Sequence, residues 1–365
     1  MGREAEARVS RTHGTARENS ARAPTPCALA PPFREAWTAT PVYGPLAHDG
    51  LLFVNDSKDH PAALDAKTGK RVWTSPWLGG IALIHEGHLF LKLDPSEIHV
   101  VDPHSGRPEA VLHAPHGNMA GIGRRLIGCV VDYEYDAIVT WALDWTTGER
   151  LWSVRERPAG AVSQHFCASE RGFVYEIEDR SGASRNVKVL VARRIETGEE
   201  LWRRRNAELQ SVASIFEDRV VACVGDRAMA LDLASGAVLW EVEGGAGYLY
   251  GDRYYVLKWS ADGPTWFCTI DVRTGKTLRR VDVRAKLPKT LKDAGLASLL
   301  LVTDTHVFAK SPKNALIVFD RESGEYAWQH HPSGAHIMGE VVCGDGCFYY
   351  RNGTERLFCL ESAAR

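Results

Sequence analysis

Apolar residues along this chain fall in short alternating runs, each closed by a polar cluster that contains glycine: LLFVND before SKDHPAALDAKTGKRVWTS, and GRRLIGCVVD before AIVTWALDWTTGERLWSV. Alternation with period two, bounded by turn residues, reads as half-buried β-strand, and these runs have a strand's length. One eleven-residue phrase recurs: ALDWTTGERLW at 142–152 and ALDLASGAVLW at 230–240. Looser copies are ALDAKTGKRVW, VVDPHSGRPEA, RRIETGEELW, TIDVRTGKTLR and VFDRESGEYAW. The seven glycines, Gly69, Gly106, Gly148, Gly198, Gly236, Gly275 and Gly324, stand 37, 42, 50, 38, 39 and 49 residues apart. That period suits one four-stranded propeller blade per repeat.

Each part of the phrase has a local reason. The aspartate accepts hydrogen bonds from the turn that follows, and the glycine supplies positive φ. Four residues beyond the glycine a tryptophan recurs as Trp73, Trp152, Trp202, Trp240 and Trp328, a large ring placed to pack between neighbouring sheets. Ala110 and Arg279 stand where two of these rings are expected. Upstream of each phrase a second hairpin is written, as in AHDGLLFV, IHEGHLFL, FEDRVVAC and CGDGCFYY, so a unit runs strand A, turn, strand B, loop, strand C, glycine turn, strand D. The C-terminal stretch AHIMGEVVCGDGCFYYRNGTERLFCLES supplies strands A to C only, whereas FREAWTAT near the N-terminus reads as an orphan strand D with Trp37 in the repeated position. Joining them gives an all-β ring of eight blades with no free edge; seven blades is the alternative.

The A-x-D-x-x-[ST]-G-x-x-x-W repeats resemble those of the pyrroloquinoline-quinone-like propeller family, which includes quinoprotein alcohol dehydrogenases and the outer-membrane assembly factor BamB. The resemblance covers residues 34 to 365. It implies the fold, and for the dehydrogenases it implies a quinone held beside a vicinal disulfide with calcium against it. This chain has no adjacent cysteines, so no quinone or other cofactor is expected.

Composition narrows the partners. The formal charge of −2 and pI near 6.7 carry no sequence-wide footprint for nucleic acid or an anionic membrane. No stretch is apolar and long enough to span a bilayer, and the arginine-bearing start lacks the apolar run of a signal peptide, so a cytoplasmic monomer without membrane insertion is expected. Residues 1 to 33, rich in Ala, Arg, Ser, Pro and Thr, read as a disordered arm ahead of the propeller at 34–365. The eight cysteines lie in apolar runs typical of reduced core thiols, and CGDGC (Cys343, Cys347) lacks a second Cys/His pair for zinc. Arg- and Ala-rich composition resembles that of proteins from GC-rich bacterial genomes.

Candidate chemistry follows from propeller geometry. The D–A and B–C connections ring the mouth of the central channel, and loops on a rigid scaffold carry function. Counting seven residues back from the second residue of each A–B turn gives a column at the mouth end of strand A: Tyr43, Gly80, His116, His165, Ser211, Gly245, Ala297 and Gly339. Small residues face polar ones, as a ligand pocket requires. His116 and His165, with Tyr43, are the acid–base candidates; the same histidines also read as a metal pair, or as ordinary channel residues bonded to water and backbone. Gln164, Ser211, Tyr248, Lys258, Trp259 and His336 are the ligand-contact candidates, and no metal is assigned. Two insertions add to this face: EDRSGASRN, and VRAKLPKTLKDAGLAS, whose Leu287 and Leu291 stand at helical spacing and read as a lid, a partner contact or a plain connector. His330 and His331 at a strand end read as structural. No G-x-S-x-G elbow, phosphate loop or H-E-x-x-H helix occurs. The leading expectation is a propeller that binds a small molecule or protein through this face; the alternative is a lyase, isomerase or cyclase of a specialised metabolite.

Overall fold

The computed structural model describes residues 29–39, 42–94, 96–115, 117–132, 137–156, 160–179, 187–206, 208–258, 263–292, 298–311, 315–331, 337–352 and 356–363. These form eight antiparallel sheets of four strands. Blade 1 sets the pattern, with strand A at Val42–His48, B at Leu51–Asp56, C at Pro61–Asp65 and D at Arg71–Thr74. The A strands of blades 2 to 8 are Gly80–His85, Asn118–Ile122, Gly160–Ala168, Leu209–Phe216, Gly247–Tyr250, Ser298–Val302 and Ile337–Gly344. Each touches the next in cyclic order, blade 8 against blade 1, so the ring is closed.

Closure is made as the ends of the sequence require. The N-terminal strand Phe33–Ala39 pairs with Leu357–Ser362 and supplies strand D of blade 8. Packing begins ahead of residue 34: Leu29 is fully buried between blades 7 and 8, and Ala30 donates its N–H to Ser362 Oγ. Residues 1–28, the rest of the expected arm, lie outside the described residues. Among the described residues no helix is long and apolar enough to cross a membrane.

The core lies between blades, where alternate residues of facing sheets interlock. Strand D of one blade is locked to the glycine turn of the next by its tryptophan. At Gly275 the backbone sits at φ +71, and an added Cβ would fall 2.5 Å from the Trp240 ring. The ring lies flat on a position that only glycine leaves open. Its indole N–H donates to the Val272 carbonyl at 2.7 Å. The same bond joins Trp37 to Ala66, Trp73 to Pro103, Trp152 to Ile195 and Trp202 to Leu233, each acceptor three residues before its glycine. One residue before the tryptophan, or before Arg279 in its place, the C–D register slips, which turns Val72, Leu151, Leu239 and Leu278 outward. These exposed aliphatics are the residues skipped by a bulge.

The two tryptophan-less joints are filled from the other side. Where Ala110 leaves blade 2 without a ring, Trp145 of the blade 3 turn reaches back over His85, His88 and Phe90 and donates to Gly123 O. Where Arg279 leaves blade 6 without one, Arg321 of the blade 7 turn lies over the Tyr250 ring. Trp145 and Arg321 each stand three residues before their glycine, and His85 and Tyr250 each end a strand A. Val281 packs against Gly324 at the same joint, and the 283–292 insertion docks there as well. Its short helices, α1 (Val283–Lys286) and α2 (Lys289–Lys292), bury Val283, Leu287 and Leu291 among Phe267, Val302 and Ile317. The segment is a packed filler, with Lys286 tied to Glu325 and Ser323 O.

Blade 4 departs in its turn. Arg193 occupies the slot filled by Leu143 and Leu231 elsewhere and is buried, its guanidinium bonded to Tyr175 Oη, Glu156 and the Gly198 carbonyl. Tyr175 in turn donates to Glu156 at 2.5 Å.

Trp240→Ala is expected to cost about 3–5 kcal/mol in urea unfolding. Gly275→Ala should also destabilise, but less when Trp240 is already Ala, because the clash is then gone; strictly additive losses in the double-mutant cycle would refute the locking role. Asp65, Asp102, Asp144 and Asp232 are held below the usual aspartate range by the hydroxyls of Thr68, Ser105, Thr146 and Ser235 and by turn N–H groups. A depressed folded value means stability that is present above the unfolded value of about 3.9 and is lost as pH falls through the folded one. The gap in urea midpoint between wild type and the fourfold Asp→Asn variant should therefore narrow from pH 6 towards pH 2; a constant gap would contradict it.

Candidate functional site

The two faces of the ring differ in how they are written. On one, six turns repeat the same aspartate-to-Ser/Thr capping at Asp65, Asp102, Asp144, Asp232, Asp271 and Asp320. The other face, where strand A begins and strand B ends, is varied.

Its most informative position is the fifth residue of strand B. In blades 1 to 8 it reads Asn55, Lys92, Cys129, Glu176, Cys223, Leu257, Lys310 and Arg351. In blades 1, 2, 3 and 6 this side chain is directed at the following blade. Asn55 donates to Gly79 O at 2.7 Å and accepts from Ile81 N at 3.3 Å; Lys92 Nζ donates to Gly117 O at 2.6 Å. Cys129 packs against Phe166 and Tyr175 of blade 4, and Leu257 against the cluster shared with blade 7. Burial raises the Cys129 and Cys223 thiols and lowers the Lys310 ammonium from their ordinary values. Glu176 is completely buried and ion-paired to Lys188 at 2.8 Å.

Across the A–B ladder, the partners of this position define the true strand A column. Tyr43 pairs with Asn55, Gly80 with Lys92, Asn118 with Cys129, Ser211 with Cys223 and Ser298 with Lys310. In blades 4 and 8 the ladder bulges by two residues, so Ser163–His165 lie opposite Glu176 and Met338–Glu340 opposite Arg351. Tyr43, Gly80, His165, Ser211 and Gly339 thus fall in the column expected from sequence, by backbone position. His116 does not: it precedes strand A of blade 3 by two residues, and Asn118 holds its place. Ser298 replaces Ala297, and Gly245 lies two residues ahead of strand A in blade 6.

Gln164 and His165 sit within the blade 4 bulge. His116, Trp259, His336 and the EDRSGASRN loop from 180 to 186 lie outside the described residues. Tyr248 is half-buried and packs against the clusters on both sides of blade 7, and Lys258 is ion-paired to Glu243. Room exists where glycine stands in strand A and its approach. A Cβ at Gly80 would meet only the Asn55 amide, at 3.9 Å, and one at Gly245 would meet nothing within 4 Å. One aromatic not expected at this face is Trp77, on the connection from blade 1 to blade 2. His60 and Ser75 pin that loop by bonds to the Trp77 carbonyl, and the ring lies 5.2 Å from His99.

A quinone site of the kind implied by the sequence resemblance does not fit these residues. Cys129 and Cys223, the thiols of the column, are two blades apart, and the described cysteines are all unpaired by disulfides. Among the described residues no three His, Cys, Asp or Glu side chains are grouped as metal ligands.

A family profile described as outer membrane protein assembly factor BamB matches residues 28–185, 62–228 and 227–345. Among solved structures the chain is similar to BamB from Moraxella catarrhalis (11% identity, 90% of this chain and 100% of that one, TM-score 0.59). It is also similar to quinohemoprotein alcohol dehydrogenase from Comamonas testosteroni (13%, 91% and 77%, 0.59) and to a computationally designed protein (12%, 92% and 99%, 0.62). At such identities the likeness is one of fold. No curated protein matches the sequence.

Glu176→Ala removes a carboxylate from Lys188 and should cost about 3 kcal/mol in urea unfolding. Replacing both, Glu176→Leu with Lys188→Met, should recover most of that loss; a double variant as unstable as the single one would assign Glu176 a role beyond the ion pair.

Proposed function

The chain belongs to the PQQ-like β-propeller family, and from that premise we propose that it is a quinone-free binding module that holds a small molecule at its varied channel mouth. The observation that carries this reading is the contrast between faces. One face repeats a single capping chemistry through six turns, whereas the fifth residue of strand B takes six different residue types over eight blades. A ring that needed only to be stable would gain nothing from such variety, and half-buried Lys, Arg and Asn at one level lose part of their hydration. Bulged inner strands on six blades, at the same end, add backbone groups displaced from regular pairing.

A second reading, a protein partner on this face, is favoured by Trp77 and Leu78, which are 36% and 60% exposed side by side on a pinned loop.

The test is retention. The protein is equilibrated with small-molecule extract of its source organism, separated by gel filtration and analysed by mass spectrometry, alongside Asn55→Ala at the mouth and Thr68→Ala on the opposite face. Wild type and Thr68→Ala should carry the same metabolite and Asn55→Ala should lose it. Equal retention by Asn55→Ala, or none by wild type, overturns the small-molecule reading. A mass change in the retained compound would assign catalysis to the same site.

A further inference from the structure

We propose that Cys347 and Cys359 form a redox modification site, at which a hydroperoxide joins the two thiols as a disulfide across the blade that closes the ring. The inference stands apart from the mouth and its ligand.

The ladder places the pair. Cys347 opens strand B of blade 8 (Cys347–Asn352), and Cys359 lies in strand C (Leu357–Ser362). In their antiparallel register Cys347 is opposite Glu361 and Tyr349 is opposite Cys359, so the two cysteines are diagonal neighbours on one face of the sheet. That face packs on blade 1 among Leu52, Ala62, Leu64 and Ala66. The two thiols are hydrogen-bonded to each other, so the sulfurs are in contact. Closing a bond from there takes rotation about the two Cα–Cβ bonds and a small shift of strand B at its first residue, beside the turn. Cys343, the nearer cysteine in sequence, packs towards blade 7 and is not placed to compete.

Exposure divides the roles. Cys359 is fully buried, whereas Cys347 is 4% exposed and follows Asp345 and Gly346, both exposed. A Cβ at Gly346 would meet nothing within 4 Å, so peroxide, little larger than water, approaches Cys347 from the turn. A bulky thiol such as glutathione would have to displace blade 1 to follow it. Electrostatics agree with this division. The Cys359 S–H holds the Cys347 thiol below its ordinary value, against burial and the carboxylates of Glu361 and Asp345. Those carboxylates are themselves engaged, Glu361 by Arg34 and Asp345 by the Gly50 N–H. Cys129, Cys223 and Cys268 are instead raised by burial, so the reactive thiolate is concentrated at Cys347.

The chemistry is a two-electron oxidation. The Cys347 thiolate attacks one peroxide oxygen; an S–O bond forms, the O–O bond breaks, and the departing hydroxide takes up the proton that the thiol released, as water. Cys359 then attacks the Cys347 sulfur; the S–S bond forms, the S–O bond breaks, and the Cys359 proton leaves with that oxygen as a second water. Both sulfurs are oxidised and the peroxide is reduced. Strand C is the strand on which Phe33–Ala39 closes the ring, so the disulfide ties the closing strand to its neighbour.

The test is peptide mapping of the full chain after graded hydrogen peroxide, with the remaining thiols then blocked by N-ethylmaleimide in urea. Folded protein should yield a Cys347–Cys359 cross-link, lighter by two hydrogens than the separate peptides, reversed by dithiothreitol, and formed at least about tenfold faster than Cys129 or Cys268 is oxidised. Cys359→Ser should leave Cys347 as a sulfenic acid that dimedone traps, and Cys347→Ser should leave Cys359 unmodified. Should either variant fold poorly, the wild-type map decides, together with a second readout: the oxidised chain should need more urea to unfold than the reduced one. Both cysteines still blocked by N-ethylmaleimide after peroxide, a cross-link through Cys343 instead, or a Cys347–Cys359 link that forms in urea but not in the folded chain overturns the proposal. Faster oxidation of Cys129 or Cys268 does the same.

Discussion

An indole laid flat on a glycine turn is the contact from which the rest of this ring follows. It makes strand D of five blades, otherwise an exposed edge, dependent on the turn of the next, and it fixes the rotation between sheets through one ring and one N–H bond. Because the acceptor carbonyl lies three residues before the glycine, the turn must be in place before the ring can lock. The aspartate cap that holds the turn and the tryptophan that rests on it are thus two parts of one device. At the joints that lack the ring the device is inverted, and the turn sends Trp145 or Arg321 back to the preceding blade. Burial at those joints is maintained by different residues in the same place.

Much of this was legible in the sequence because it is local. A turn cap spans three residues, and the glycine and tryptophan recur at fixed offsets, so the repeat, the eight blades and the closure by the N-terminal strand could be read directly. The inverted joints were not, since Trp145 acts on residues some sixty positions earlier and nothing local marks it. Leu287 and Leu291 announced a helical face, but whether it would pack down or stand over the channel depended on the gap at Arg279.

The mouth column was partly legible, and the reason for the rest is mechanical. Counting back along strand A crosses its bulges, which add two residues in blades 4 and 8 and none in blades 3 and 6, so a fixed offset drifts. In blade 3, which has no bulge, that offset overshoots by one residue, and counting from Gly123, where the turn's second residue is Arg124, adds another, so the count lands on His116 in place of Asn118. Strand B runs on the far side of the bulge and keeps its count from the A–B turn. The fifth residue after each turn was available as a register mark in all eight repeats. Innermost strands bulge because they bend around the channel axis, and their irregularity is why a reader of sequence does better to count from their neighbours.

The same geometry connects scaffold and chemistry. The residues locking blades through their turns are confined to one end of the ring, so the other end is free to differ from blade to blade at small cost in stability. Glu176 shows the limit of that freedom: a charge at this level is tolerated at complete burial only beside a partner, and Lys188 supplies it. Asn55, Lys92, Lys310 and Arg351 are half-exposed and face the same constraint more gently. Two of them donate to backbone carbonyls of the next blade, which hold the side chains in place. The blade 2 lysine and the blade 4 glutamate, equivalent in position, are therefore held differently: the first donates to a backbone carbonyl of the next blade, and the second is paired with a lysine of its own sheet.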